Sequence, residues 1–203
     1  REMFRGQLVN VEHWDVELPS GRTAQREIVR NANAAAVVPV DDDGYVTLVR
    51  QYRVAMQRIL MEIPAGKKDD PREDPLLCAK RELEEETGLR AERFELLTHA
   101  RMSPGFLTEC VSIYLATGLS QGKDHPDEDE YLNVVRMPLD EAVALVAVGL
   151  FGTGPVEAVA GTGLLVIAGI LAWVPRLPGM KDTGLRGQFR FLRSPAPWLI
   201  LAA

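Results

Sequence analysis

Cysteine is scarce in this 203-residue sequence, and an excess of positive charge is missing altogether. The two cysteines, Cys78 and Cys110, stand far apart with neither Cys-x-x-Cys nor Cys/His ligand spacing, which excludes a thiolate zinc site and a disulfide framework. Buried free thiols in a reducing compartment are expected. Lys and Arg number 23 against 29 Asp and Glu, a net charge of −6 that argues against a general nucleic-acid binder. Residues 1–7 have no apolar h-region, so the expectation is no secretory signal and a cytoplasmic location. The apolar stretch 158–174, seventeen residues without a charge, falls short of the roughly 20 residues a spanning helix needs. Gly161, Gly163 and Gly169 interrupt it, so a buried terminal core helix is expected and a membrane segment is the alternative.

What is present is the composition of an ordinary globular chain, 46% hydrophobic and 26% charged, which rules out a disordered or fibrous protein. A chain of this length can bury roughly 70% of its unfolded surface in its own core. It reads as one domain, or a domain with an appendage. In residues 1–33, Trp14, Val16 and Leu18 alternate with Asp15 and Glu17, and a turn at Pro19-Ser20-Gly21 leads to another strand near 25–29, predicting a small N-terminal β-sheet. Strands follow near 35–40 and 45–51, joined by Asp41-Asp42-Asp43-Gly44, whose residues tolerate left-handed backbone. Another strand, 58–63, ends at Pro64, and a polar loop covers 67–73. Later strands are expected near 95–101, 109–117 and 130–136, with a helix near 139–148 before the terminal apolar one. The main domain spans 34–174, and the basic tail 175–203 has no assigned role. Strands, helix, strands, helices predict an α/β fold, a mixed sheet covered by helices.

The clearest helix is 75–87, with Asp74 as N-cap, Pro75 at its first position and Gly88 as its stop. At 100° per residue, Glu82, Glu85 and Glu86 fall within about 100° of one another, beside an apolar strip of Leu76, Ala79 and Leu83. Like charges at these spacings destabilise a helix by about 0.2–0.5 kcal/mol per pair. A hard divalent cation such as Mg²⁺, which prefers carboxylate oxygens and bridges them to phosphates, would compensate. A solvated acidic face with Arg81 and Lys80 as partners is the other reading.

The wider spacing adds to this. Gly66, Glu73 and Arg81-Glu82-Leu83-Glu84-Glu85-Glu86-Thr87-Gly88-Leu89 together resemble the Nudix box, G-x5-E-x7-R-E-U-x-E-E-x-G-U, with one additional residue between Gly66 and Glu73. That insertion precedes the helix, so the metal ligands are expected to survive it. The flanks resemble the ADP-ribose pyrophosphatase branch: Gln51-Tyr52-Arg53 before Glu62-Ile63-Pro64-Ala65-Gly66, then Ser103-Pro104-Gly105-Phe106-Leu107-Thr108-Glu109, then the acidic loop Asp127-Glu128-Asp129-Glu130. The resemblance runs from about residue 7 to 174. One departure is Glu157-Ala158, after the glycine-rich stretch 149–154, where the family's last helix usually opens with Asp-Ala.

This resemblance implies a Nudix-type α/β/α sandwich with a mixed sheet, and Mg²⁺-dependent hydrolysis of ADP-ribose to AMP and ribose 5-phosphate, with Mn²⁺ able to substitute. Glu82, Glu86 and the Ala65 carbonyl are implied as metal ligands, with Glu85 sharing a further metal site and Arg81 orienting the glutamates. Glu128 is the implied base, with Glu130 as its alternate. Arg53 is implied to contact a phosphate, Pro104 to belong to the substrate loop and Glu109 to help position water. The relatives commonly form homodimers whose N-terminal strands help bind adenine, so Trp14 is a candidate for stacking; a place in the inter-sheet core is its other reading. No nucleic-acid partner is expected. Alternatives are a hydrolase for another nucleotide sugar or a dinucleotide, a non-catalytic ADP-ribose sensor, and a membrane-associated hydrolase.

Overall fold

The computed structural model describes residues 1–122 and 132–151, with only the backbone from 146 onward. Its elements run β1 (Glu2–Arg5), β2 (Val9–Glu17), β3 (Thr23–Asn31), β4 (Ala34–Pro39), β5 (Tyr45–Arg53), a 3₁₀ turn (Val54–Met56), β6 (Arg58–Glu62), β7 (Ala65–Lys67), α1 (Pro75–Thr87), β8 (Leu89–Arg101), β9 (Cys110–Gln121), β10 (Asn133–Pro138) and α2 (Leu139–Phe151). The acidic loop 127–130, the stretch 158–174 and the tail 175–203 lie outside the described residues.

The strands form three sheets. β1, β2 and β3 make the expected N-terminal sheet, and β10-β5-β6 a second. The third, β7-β4-β9-β8, is mixed, because β4 runs parallel to β9 and antiparallel to β7. Its central strand β4 is buried along its whole length, which is why its sequence, Ala-Ala-Ala-Val-Val-Pro, is continuously apolar. Alternate residues serve opposite faces. Ala35 and Val37 join Cys78, Ala79 and Leu83 of α1, with Tyr114 and Ala116 of β9. Ala34, Ala36 and Val38 join Val46 and Leu48 of β5, Ile113 of β9, and Leu139 and Val143 of α2. The mixed sheet is therefore sandwiched between α1 on one side and, on the other, the second sheet together with the first turns of α2.

Local signals set the connections. The Asp74 side chain accepts the Leu76 N–H at 2.7 Å, Pro75 opens α1, and Gly88 ends it at φ 68°, where any Cβ would be strained. Asp41 accepts the N–H groups of Asp43 and Tyr45, both at 3.0 Å, to shape the β4–β5 turn.

Two expectations need correcting. β8 starts at Leu89 rather than near 95, because its polar first half pairs with the far end of β9: Leu89 faces Gln121 and Arg93 faces Thr117. Residues 65–67, expected to lie outside any strand, form β7 by pairing with Ala34, Ala35 and Ala36. Three residues carry no periodicity of their own; a partner about thirty positions away makes them a strand.

Candidate active site

β7 and α1 face each other across the side of the mixed sheet that α1 covers. α1 turns Glu82 and Glu86, each 7% exposed, inward with Cys78, Ala79 and Leu83. Their spacing of one turn puts both carboxylates toward the β7 backbone. The Ala65 N–H donates to Glu86 Oε2 at 3.1 Å. Gly66 lies under Glu82 so closely that a Cβ there would come within 2.2 Å of its carboxylate.

Arg81 binds this group together. Its Nη1 donates to Glu82 Oε1 at 2.7 Å and to Glu85 Oε2 at 2.9 Å, and its Nη2 to the Lys67 carbonyl at 3.0 Å. Its Nε is buried without a hydrogen bond and stands 3.4 Å from Asp69 and 3.5 Å from Glu73. Burial works against the guanidinium charge, but Glu82 and Glu85 outweigh it and raise the pKa, so Arg81 is permanently cationic. Glu73 also accepts the Asp69 N–H at 2.9 Å, closing the loop that carries the additional residue.

Among the described residues, no three acidic, thiol or imidazole groups already converge as a metal cage. The donor set nonetheless fits a hard divalent cation: the carboxylates of Glu82 and Glu86 are nearly buried, Glu82 and Glu85 are held by one guanidinium, and Gly66 leaves room beside the backbone for the Glu82 carboxylate. The thiol beside them does not suit this role. Burial, with Glu82 and Glu73 adding to it, pushes Cys78 up to about 11, leaving it a protonated thiol that touches the Gly66 carbonyl and Arg81.

Glu109 lies just before β9. Burial raises its carboxyl above the ordinary range, and the charge of Lys67 on β7 pulls it partly back. Asn31 donates to it at 2.7 Å.

A family model described as "NUDIX domain" matches residues 30–151. The chain belongs to the NUDIX family. It is 42% identical to the methanol dehydrogenase activator of Bacillus methanolicus and 42% identical to the ADP-ribose pyrophosphatase of Bacillus subtilis (strain 168). Each match covers 147 residues, 71% of this chain and 79% of the relative. A solved structure described as "Crystal structure of ADP compounds hydrolase" superimposes with a TM-score of 0.72 at 27% identity, covering 86% of this chain and 91% of the other. The resemblance read from Gly66, Glu73 and the 81–89 pattern is borne out, as is the sandwich fold.

In this NUDIX protein, Ala65, Arg81, Glu82, Glu85 and Glu86 come together in one cluster, while the other candidates stand elsewhere. Arg53, at the end of β5, donates through Nε and Nη2 to Glu62 of β6, the shortest contact being 2.6 Å. Pro104 sits exposed in a turn closed by the Phe106 and Leu107 N–H groups on the Ser103 carbonyl. Trp14 is 38% exposed rather than an inter-sheet core residue, with Nε1 donating to Glu12 at 2.6 Å and Arg30 5.2 Å from its ring centre. Glu128 and Glu130 fall outside the described residues. Cys78 is buried as expected, whereas Cys110 is only half-buried, because it opens β9 at the sheet's end. No helix among the described residues is long and apolar enough to cross a membrane.

Sequence reasoning missed Asp69, Asn31 and Asn33. Asp69 is one of several acidic loop residues with nothing to single it out, and the two asparagines reach the segment around Glu109 only through contacts 77 and 78 positions away.

Proposed function

We propose that this NUDIX protein hydrolyses the pyrophosphate bond of ADP-ribose. The observation that carries the reading is the intact Glu82, Glu85, Glu86 and Arg81 cluster over Gly66, in a chain that is 42% identical over 147 residues to an ADP-ribose pyrophosphatase. Water attacks one phosphorus, the bond from that same phosphorus to the bridging oxygen breaks, and the bridging oxygen departs with the other phosphate, giving AMP and ribose 5-phosphate. Glu82, Glu86 and the Ala65 carbonyl would hold Mg²⁺, or Mn²⁺ in its place, and Glu85 a further ion. When bound, such a cation neutralises phosphate charge and makes water acidic enough to attack at neutral pH.

The remaining roles belong to side chains. Arg81 keeps Glu82 and Glu85 in place. Glu128, with Glu130 as alternate, takes the proton from water, a contribution of about 10²–10⁴ in rate. Arg53 exchanges Glu62 for a phosphate, the turn at Pro104 borders the substrate, and Glu109 orients the attacking water. Trp14 offers an exposed ring for adenine across a homodimer. The free thiols Cys78 and Cys110 support a cytoplasmic setting.

The test is hydrolysis of ADP-ribose beside a panel of nucleotide sugars and dinucleotides, with a chelator and Glu86→Gln as controls. AMP and ribose 5-phosphate released best from ADP-ribose, only with metal and Glu86, supports the reading. A better substrate elsewhere in the panel corrects the specificity. ADP-ribose binding without turnover on any substrate would mean a sensor.

A further inference from the structure

Asn31 is the last residue of β3, and every polar group it carries is engaged. Oδ1 accepts the Ala32 N–H at 3.0 Å and Nδ2 donates to Glu109 Oε1 at 2.7 Å. Its backbone N–H donates to Thr108 Oγ1 at 3.2 Å, and its carbonyl accepts from the same hydroxyl at 3.4 Å. The amide orientation follows from these partners, because a flipped amide would set an oxygen against the Glu109 carboxylate and an NH₂ against the Ala32 N–H.

The contact is part of a seam. The Val29 N–H donates to the Phe106 carbonyl at 2.7 Å, and the Thr108 N–H returns to the Val29 carbonyl at 3.0 Å. Beyond Asn31, Asn33 Oδ1 accepts the Cys110 N–H at 3.0 Å. Two asparagines flanking Ala32 thus grip the chain on both sides of Glu109. The carboxylate is partly desolvated, so a directed donor matters more here than in water.

We infer that Asn31 is a positioning residue, through which the N-terminal sheet sets the orientation of the Glu109 carboxylate. This rests on the reading that Glu109 works on the substrate side of the site. It makes the N-terminal sheet part of the active site within a single chain.

The test is a double-mutant cycle in the full chain, with ADP-ribose or the most active panel substrate. Asn31→Asp keeps the acceptor for Ala32 and replaces only the donor, placing oxygen against oxygen. It should lower kcat/KM about tenfold or more while the fold, followed by thermal unfolding, is retained. In a Glu109→Gln background the same change should cost no more than about twofold, because the new glutamine amide can donate to the new carboxylate. Equal losses in both backgrounds would show a merely structural role and overturn the inference, as would wild-type activity of Asn31→Asp. Wild-type activity of Glu109→Gln would remove the premise and the inference with it, leaving the hydrolase reading intact. If Asn31→Asp does not fold, Asn31→Ala, which removes the amide donor without adding charge, takes its place in the cycle with the same criteria.

Discussion

The Glu82 carboxylate rests directly on Gly66, where a side chain of even one carbon would come within 2.2 Å of it. Glycine is required there by close approach and not by backbone strain, since Gly66 lies in β7, paired with Ala35. Glu82 is also fixed from its other side by Arg81, so it has little freedom to retreat. Gly66→Ala should therefore push the Glu82 carboxylate out of place, reducing kcat by about tenfold or more with little loss of stability, because the group that must give way is the end of a side chain. Steady-state kinetics with thermal unfolding checks this; full activity would mean that the position of Glu82 does not matter to turnover.

Arg81 serves Glu82, Glu85 and the Lys67 carbonyl with a planar fork that an ammonium group cannot reproduce. Arg81→Lys is expected to lower activity by about 10- to 100-fold and to weaken metal activation, measured as a higher Mg²⁺ concentration for half-maximal rate. A variant with an unchanged Mg²⁺ requirement would show that Arg81 does not organise the glutamates.

Glu109 should leave a mark on the pH dependence of stability. Burial raises its carboxyl, so the folded chain holds a proton there at pH values where the unfolded chain has lost it. Its contribution to stability therefore falls as pH rises from the unfolded pKa through the folded one. Glu109→Gln removes that slope. Urea titrations from about pH 4 to about pH 7 should find wild type losing stability relative to the variant as pH increases, and a constant difference would contradict the assignment.

The two thiols should differ in reactivity. Cys78 is fully buried and pushed up to about 11, while Cys110 is half-buried at the start of β9. A disulfide reagent at neutral pH should modify Cys110 in the folded protein and Cys78 only after denaturation. Mass mapping of the labelled peptides reads the result, and prompt native labelling of Cys78 would mean that α1 opens readily from the sheet.

The helix that carries the glutamates was legible because everything that makes it is local. Asp74, Pro75 and Gly88 lie next to the turns they shape, and an i,i+4 spacing decides that Glu82 and Glu86 share a face. β7 was not legible, since three residues become a strand only when Ala34, Ala35 and Ala36 are beside them. Arg53 could be marked as a cation but not as the partner of Glu62, which depends on how the β5–β6 hairpin closes.

The sequence by itself determined the family, the caps of α1 and the stripe of carboxylates along it, because side-chain spacing on a helix follows from 3.6 residues per turn. Only the tertiary structure decided what that stripe faces and what holds Glu109. Glu82 meets Gly66 because β7 docks on β4, and Glu109 meets Asn31, 78 positions away, because the end of β3 pairs with the 106–108 segment. Those meetings depend on strand register, and register is set by the packing of the whole core at once.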